Sequence, residues 1–114
     1  MHELSIARSI VEISSVAVHE DGATKVIAVR VRIGVLSGIA PAALAFSYDV
    51  AVRGTPLESS RLIVDLVPVI VHCSDCGRET ELPDASRLVC AACGTPTSDI
   101  RSGRELEVES IEVI

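Results

Sequence analysis

Two short cysteine motifs constrain the fold of this chain more than any other feature of its sequence. They are Cys73-Ser74-Asp75-Cys76-Gly77 and Cys90-Ala91-Ala92-Cys93-Gly94, and together they hold all four cysteines. Two residues between paired cysteines let both sulfurs reach one metal ion, and the glycine that follows tolerates the positive φ of such a tight turn. The two motifs therefore predict a tetrahedral site with four sulfur ligands.

Zinc is the metal expected at this site, because it suits thiolate ligands and accepts tetrahedral coordination without redox chemistry. Two disulfides, or a thioredoxin-like redox pair, are the alternatives that the same cysteines allow. Four protein thiolates leave no open coordination position for water or substrate, so a zinc ion here is expected to be structural. A zinc hydrolase, which needs an open position and a general base, is therefore disfavoured.

Composition excludes several other classes of protein. The 114 residues include one Phe, one Tyr and no Trp, so the core must be aliphatic and no aromatic platforms are available for stacking bases. The net charge of −6 disfavours nucleic acid as a partner, because phosphates require a basic face. No apolar run is long enough to span a membrane and no signal peptide is evident, so we expect a cytoplasmic protein without a membrane partner. Reduced thiols in that compartment favour metal over disulfide.

Hydrophobic periodicity predicts two helices. The first spans residues 4 to about 20 and ends at Asp21-Gly22, where glycine can adopt the left-handed capping conformation. Its predicted core face consists of Ile6, Ala7, Ile10, Ile13 and Ala17. The second begins at Pro41 and continues to about Val52, with Leu44, Tyr48 and Val52 spaced four residues apart on its core face.

Alternating apolar residues predict three strands, at residues 25–33, 61–67 and 105–113. Inward-facing positions are expected at Ile27, Val29, Val31, Ile33, Leu62, Val64 and Leu66. The second helix connects the first two strands by a right-handed crossover, so these strands should be parallel. The predicted fold is therefore α+β, with two helices packed on a three-stranded mixed sheet. Residues 1–67 and 101–114 should form this domain, and residues 68–100 an inserted zinc-ribbon-like domain.

No catalytic constellation is recognisable in the sequence, so the chain is not expected to be an enzyme. A Ser-His-Asp order, a P-loop and a glycine-rich dinucleotide turn are all lacking. Met1-His2-Glu3 has a different chemistry, which depends on its position at the terminus. A terminal amine, backbone amide nitrogens and the imidazole of residue 2 can chelate one metal in a plane that suits Ni(II) or Cu(II).

Several segments together resemble the HypA/HybF family, and the match covers essentially the whole chain. They are Met-His-Glu-Leu-Ser at the start, Arg32-Ile33-Gly34-Val35-Leu36-Ser37-Gly38, Phe46 through Gly54-Thr55, the two cysteine motifs and Glu105-Leu106-Glu107-Val108. Members of that family are nickel metallochaperones that help to mature [NiFe] hydrogenases and, in some organisms, urease.

The resemblance implies two metal sites and two protein partners. Nickel, a transient cargo, would bind at Met1, His2 and Glu3, and a structural zinc would bind at Cys73, Cys76, Cys90 and Cys93. The partners would be the GTPase HypB and the precursor of the hydrogenase large subunit, and the protein itself would be a monomer or a homodimer.

One departure from the family pattern concerns the start of the second helix. Family members often carry acidic residues there, whereas this chain has Ala40 and Ala42. Glu3 is then the nearest carboxylate that could accept a hydrogen bond and orient the imidazole. A zinc-ribbon adaptor that only bridges other proteins is the alternative function. Both functions predict zinc, but only the metallochaperone predicts nickel at the N-terminus.

Overall fold

The computed structural model describes residues 3–114 of the chain. The described chain contains two α-helices, one short 3₁₀ helix and six strands. In chain order they are α1 (Glu3–Glu20), β1 (Val26–Gly34), the 3₁₀ helix (Val35–Ser37), α2 (Pro41–Ala51), β2 (Arg61–Val67), β3 (Ile70–His72), β4 (Glu79–Glu81), β5 (Ile100–Ser102) and β6 (Leu106–Val113). The strands form two three-stranded sheets, ordered β2-β1-β6 and β4-β3-β5, which confirms the predicted α+β class.

The chain divides into two compact units. The first comprises the described chain up to Arg32 together with Gly38–Asp65 and Glu107–Ile114. The second comprises Ile33–Ser37 and Leu66–Leu106. Both α-helices therefore belong to the first unit and all four cysteines belong to the second.

The sheet formed by β2, β1 and β6 is mixed, as the sequence predicted. At one end of β1 the Gly34 amide donates to the Glu105 carbonyl oxygen at 2.7 Å, and at the other end the Ile114 amide donates to the Lys25 carbonyl oxygen at 3.1 Å. The first bond joins the end of β1 to the start of β6, and the second joins the start of β1 to the end of β6. The two strands are therefore antiparallel. In a mixed sheet of this order β2 is then parallel to β1, as the crossover through α2 requires.

The core face of α1 differs from the predicted one in its second half. Its buried residues are Ile6, Ala7, Ile10, Val11, Ser14 and Val18. Ile13 is 56% exposed and Ala17 is only half-buried, so their assignment to the core was wrong. Two overlapping apolar stripes run along this helix, and the one that includes Val11 and Val18 is buried even though it places the Ser14 hydroxyl inside the protein.

The core face of α2 is confirmed. Leu44, Tyr48 and Val52 are all buried, and the Tyr48 hydroxyl is 2.6 Å from the buried Ser60 hydroxyl. Burial raises the pKa of Tyr48, while its hydrogen bond to Ser60 acts in the opposite direction. The one aromatic side chain of this core therefore has a polar partner for its hydroxyl.

Two inward positions predicted for the strands are also wrong. Ile27 of β1 is exposed, whereas Val26 and Ala28 on either side of it are buried. Leu66 of β2 is 55% exposed, whereas the next residue, Val67, is buried. Both errors lie near the end of a strand, where strict alternation between the two faces of the sheet is least well maintained.

Ion pairs connect neighbouring strands on the outer face of this sheet. Arg30 of β1 forms two hydrogen bonds with the Asp65 carboxylate of β2, at 2.9 and 3.0 Å. Arg32 of β1 is 2.7 Å from the Glu107 carboxylate of β6. All four side chains remain substantially exposed, so these pairs contribute little to stability and mainly keep the face polar.

The second unit has only a small hydrophobic core. Its sheet is antiparallel, with β3 at the centre and Val71 opposite Thr80 of β4 and Ile100 of β5. The buried core consists of Val69, Val71 and Leu82, with Leu36, Ala85, Leu88 and Ile100 packed against it. Such a core gives limited stability to a unit of this length.

Neither α-helix of the described chain, residues 3–114, is long and apolar enough to cross a membrane.

Candidate metal centre

The first cysteine motif forms a tight turn directly after β3. The Gly77 amide donates to the Cys73 carbonyl oxygen at 2.8 Å, and the Cys73 amide donates to the Arg78 carbonyl oxygen at 2.9 Å. Gly77 has a φ of 70°, the conformation expected from the sequence. These bonds hold the Cys73 and Cys76 side chains on the same side of the turn, and we call residues 73–78 the first knuckle.

The second motif repeats this backbone arrangement. The Gly94 amide donates to the Cys90 carbonyl oxygen at 2.8 Å, and the Cys90 amide donates to the Thr95 carbonyl oxygen at 2.8 Å. Gly94 has a φ of 77°. We call residues 90–95 the second knuckle. Arg78 and Thr95 occupy equivalent positions, two residues after the second cysteine of each knuckle.

The four cysteine sulfurs converge on one point. All of them lie within 4.8 Å of one another. The Sγ atoms of Cys73 and Cys93 are 3.6 Å apart, and those of Cys76 and Cys90 are 3.7 Å apart. A tetrahedral zinc ion with Zn–S bonds of about 2.3 Å requires sulfurs roughly 3.8 Å apart. The four thiols therefore fit a zinc ion, and all four are free rather than paired in disulfides.

The two cysteines of each knuckle differ in their access to solvent. Cys73 and Cys90, the first of each pair, are 1% exposed. Cys76 and Cys93, the second of each pair, are exposed. One side of the metal centre therefore faces the interior of the unit, and the other side can be reached by small molecules in solution.

Two threonine hydroxyls lie beside the sulfurs of the second knuckle. The Cys93 thiol donates to Thr95 Oγ1 at 3.2 Å, and after deprotonation the hydroxyl can donate to the thiolate instead. Thr80 Oγ1 of β4 is 4.0 Å from Cys90 Sγ and accepts a hydrogen bond from the Ala91 amide at 3.2 Å. Thr80 therefore connects the second knuckle to the sheet.

Hydrogen-bond donors lower the pKa of both thiols in the second knuckle. The backbone amide of Cys93 and, to a smaller extent, that of Ala92 lower the pKa of Cys90 to about 6, against an opposing effect of burial. The hydroxyl and amide of Thr95 lower the pKa of Cys93. These donors stabilise thiolates, the form in which cysteine binds a metal.

Cys76 shows the opposite behaviour. The backbone amide of Arg78 lowers its pKa, but burial and the three neighbouring sulfurs outweigh that effect and raise the pKa to about 11. Four thiols this close cannot all ionise without a cation, because each thiolate disfavours the next. A divalent ion held by the four sulfurs would supply the compensating charge.

His72 lies next to the first knuckle, and its side chain pairs with a carboxylate. Its Nδ1 is 3.4 Å from the Asp99 carboxylate, which also accepts a hydrogen bond from Arg101 at 3.0 Å. The Thr97 hydroxyl donates to the His72 carbonyl oxygen at 2.7 Å. Sequence reasoning had not identified the threonine and Asp99 contacts around this centre. Only the position of Thr95 next to a cysteine motif could have indicated any of them.

The predicted nickel residues are only partly within the described chain. Met1 and His2 lie outside the described residues. Glu3 is the first residue of α1 and is half-buried. Ala40 is the N-cap of α2 and provides no side-chain hydrogen bond there. Ala42 is exposed in the first turn of that helix.

Comparison with known proteins identifies relatives along the whole chain. Residues 1–113 match the family model described as hydrogenase/urease nickel incorporation, metallochaperone, hypA. The hydrogenase maturation factor HypA of Chloroflexus aggregans is 46% identical over 112 residues, covering 98% of both chains. That of a Picosynechococcus species is 38% identical over 114 residues, covering 100% of both chains.

Two solved structures share the fold. The solution structure of the nickel metallochaperone HypA from Helicobacter pylori covers 100% of this chain and 98% of its own, with a TM-score of 0.69 and 22% identity. A second solution structure of a HypA protein covers 100% of this chain and 97% of its own, with a TM-score of 0.73 and 22% identity. The solved structures show the shared fold, whereas the family match and the identities to the two maturation factors show the family. The chain belongs to the HypA family.

Proposed function

We propose that this chain is a cytoplasmic nickel metallochaperone that binds Ni(II) and delivers it during the maturation of [NiFe] hydrogenase. Urease is a second candidate recipient. The observation that carries the proposal is the match of residues 1–113 to a family described by hydrogenase and urease nickel incorporation. That match includes the Met1-His2-Glu3 start, whose nitrogens can chelate a metal that prefers a planar site.

The proposed nickel site uses the terminal amine, the imidazole of His2 and the backbone amides of His2 and Glu3. Because α1 begins at Glu3, amides at this end have no acceptor within the helix and can provide nitrogen to a metal. The positive end of a helix dipole disfavours a dication, but two deprotonated amides neutralise the charge of Ni(II). The carboxylate of Glu3, a half-buried residue, is the candidate acceptor that orients the imidazole.

The four cysteines are proposed to hold a structural zinc. Support comes from the sulfur separations of 3.6 and 3.7 Å, which are close to those of a tetrahedral thiolate site. Zinc in such a closed site stabilises the unit around it. A zinc-binding adaptor without nickel is the competing function, and the N-terminus distinguishes the two.

We expect His2→Ala and a one-residue N-terminal extension each to weaken nickel binding at least about a hundredfold, because removing a ligand should cost more than the 10–100-fold typical of its outer partners. Isothermal titration calorimetry of the zinc-loaded protein measures this. Affinity should also fall steeply between about pH 7.5 and 6. Protons then compete for an amine with a reference pKa of roughly 7.7–8.0 and an imidazole at roughly 6.5.

His19→Ala is the matched control, because His19 is an exposed histidine in the last turn of α1, far along the chain from the proposed ligands. It should bind nickel as the native protein does. Zinc content should be the same in all variants. Native nickel affinity in either the His2→Ala or the extended protein would refute this site, and absence of nickel binding by the native protein would favour the adaptor.

Delivery requires a donor and an acceptor, for which we propose the GTPase HypB and the precursor of the hydrogenase large subunit. The net charge of −6 favours protein partners over nucleic acid. Affinity purification from a hydrogenase-expressing host should recover at least one of the two, and mass spectrometry identifies them. Recovery of neither, with retention on nucleic acid at physiological salt, would contradict the proposed partners.

A further inference from the structure

The two knuckles share a backbone but differ in the hydrogen bonds that their sulfurs receive. In the second knuckle Thr95 Oγ1 lies 3.2 Å from Cys93 Sγ. The equivalent residue of the first knuckle is Arg78, which has no hydroxyl. Within residues 3–114, the side-chain partners of Cys76 Sγ are the other cysteine sulfurs, of which Cys90 Sγ lies at 3.7 Å. The knuckles are therefore chemically unequal.

Only two of the four cysteines are exposed to solvent, Cys76 and Cys93. Cys73 and Cys90 are 1% exposed, so a dissolved reagent reaches the centre through Cys76 or Cys93. A hydroxyl that donates to a thiolate withdraws electron density from the sulfur in a charge-assisted hydrogen bond. Such a bond makes the sulfur a weaker nucleophile toward an electrophile. Cys93 has this bond available from Thr95, and Cys76 does not.

We propose that Cys76 is the sulfur through which the metal centre reacts with thiol-modifying electrophiles, and that the Thr95 hydroxyl protects Cys93 from the same reaction. The proposal rests on the four cysteines binding zinc, as proposed above. Thr95 is then a positioning residue, since it acts through the Cys93 sulfur and is not itself a ligand.

A simple alkylating reagent would modify the Cys76 sulfur with displacement of the reagent's leaving group. With iodoacetamide, an electron pair of Cys76 Sγ forms a bond to the CH₂ carbon as the carbon–iodine bond breaks, and iodide leaves with that bonding pair. The product is a neutral thioether, which binds a metal more weakly than the thiolate it replaces. A single modification at Cys76 should therefore be sufficient to release the metal.

The test uses the zinc-loaded native protein and a limiting amount of iodoacetamide. Peptide mapping by mass spectrometry measures the rate at each cysteine, and a chromogenic chelator measures zinc release. We expect Cys76 to react about tenfold faster than Cys93, the effect of one hydrogen bond to a charged group. Zinc release should follow the modification of Cys76 rather than that of Cys93.

Reciprocal variants separate the hydroxyl from other effects. Thr95→Val, which removes the hydroxyl but keeps the shape, should raise the Cys93 rate to that of Cys76. Thr95→Ser should retain protection. Arg78→Thr should slow Cys76, whereas Arg78→Val, which removes the same cation without adding a hydroxyl, should not. The Arg78 pair tests the inference even if Thr95→Val fails to fold.

The outcomes distinguish this inference from the zinc proposal. A zinc-loaded native protein whose Cys93 reacts as fast as Cys76 would overturn the inference alone. Equal Cys76 rates in Arg78→Thr and Arg78→Val would also overturn it and leave the zinc site standing. Native protein that binds no zinc would overturn the proposed zinc site and this inference with it.

Discussion

Replacing Cys90 with serine should abolish stoichiometric zinc binding and unfold the second unit, while the two helices of the first unit stay folded. Cys90 is 1% exposed, and its sulfur receives hydrogen bonds from the amides of Cys93 and Ala92. A serine hydroxyl in that position is a far weaker ligand than a thiolate for zinc. The variant therefore tests whether the metal stabilises the unit.

The free energies involved explain why the second unit should unfold without the metal. Structural zinc contributes on the order of 10–16 kcal/mol of apparent binding free energy. The three buried core side chains, Val69, Val71 and Leu82, contribute roughly 1.5–3 kcal/mol each. Loss of the metal would therefore remove more stabilisation than this whole cluster of side chains supplies.

Separate measurements report on the two units. Both α-helices, Glu3–Glu20 and Pro41–Ala51, belong to the first unit, so circular dichroism at the helical minimum follows that unit. Amide exchange at Val71 and Leu82 follows the second, and elemental analysis gives the zinc content. Ala92→Ser, an exposed change between the same two cysteines, is the control and should behave as the native protein. Native zinc content in Cys90→Ser would be inconsistent with a metal-dependent second unit. Loss of the helical signal would contradict the expectation that the first unit stays folded without the metal.

Gly34→Ala should destabilise the protein by about 3–5 kcal/mol, a loss that only a specific structural mechanism produces. A Cβ atom at Gly34 would lie 2.5 Å from the Arg104 amide nitrogen and closer still to the Gly103 carbonyl group. These two backbone segments are hydrogen-bonded to each other, since the Leu36 amide donates to the Gly103 carbonyl oxygen at 2.8 Å. An added methyl group would have to separate them and break such bonds.

Gly38→Ala is the informative comparison for that variant. Gly38 has a φ of 76° and nothing within 4 Å of a Cβ, so alanine there is penalised only by the left-handed backbone, about 1–2 kcal/mol. Chemical denaturation of both variants at equal zinc loading gives the two losses. If Gly34→Ala cost no more than Gly38→Ala, the close approach of the backbones would not be limiting.

Local sequence signals were sufficient to predict both α-helices, the three strands of the β2-β1-β6 sheet and the convergence of the four cysteines, but not β3, β4 and β5. The strand at Arg61–Val67 has the predicted bounds, and Gly22 has the expected positive φ after α1. The four cysteines were predicted to converge, and their sulfurs do so. Such features depend on residues a few positions apart, whose spacing and backbone preferences are written directly in the sequence.

Long-range packing decided what the sequence left ambiguous. Ile13 and Val11 are equally apolar, and only contact with the rest of the core selects Val11 for burial. Ile33–Ser37 groups with the distant cysteine unit, and Gly34 closely approaches Gly103, a residue far along the chain.

Two chemical features can be read directly from the sequence, namely four thiols with metal-binding spacing and a Met-His-Glu start. The surroundings of those thiols, in contrast, depend on the folded unit. It places Thr80 beside Cys90 and buries Cys73 and Cys90 while leaving Cys76 exposed. The physical reason is that ligand identity and spacing are local properties, whereas burial and hydrogen-bond partners depend on chain segments that meet only when the whole unit has folded.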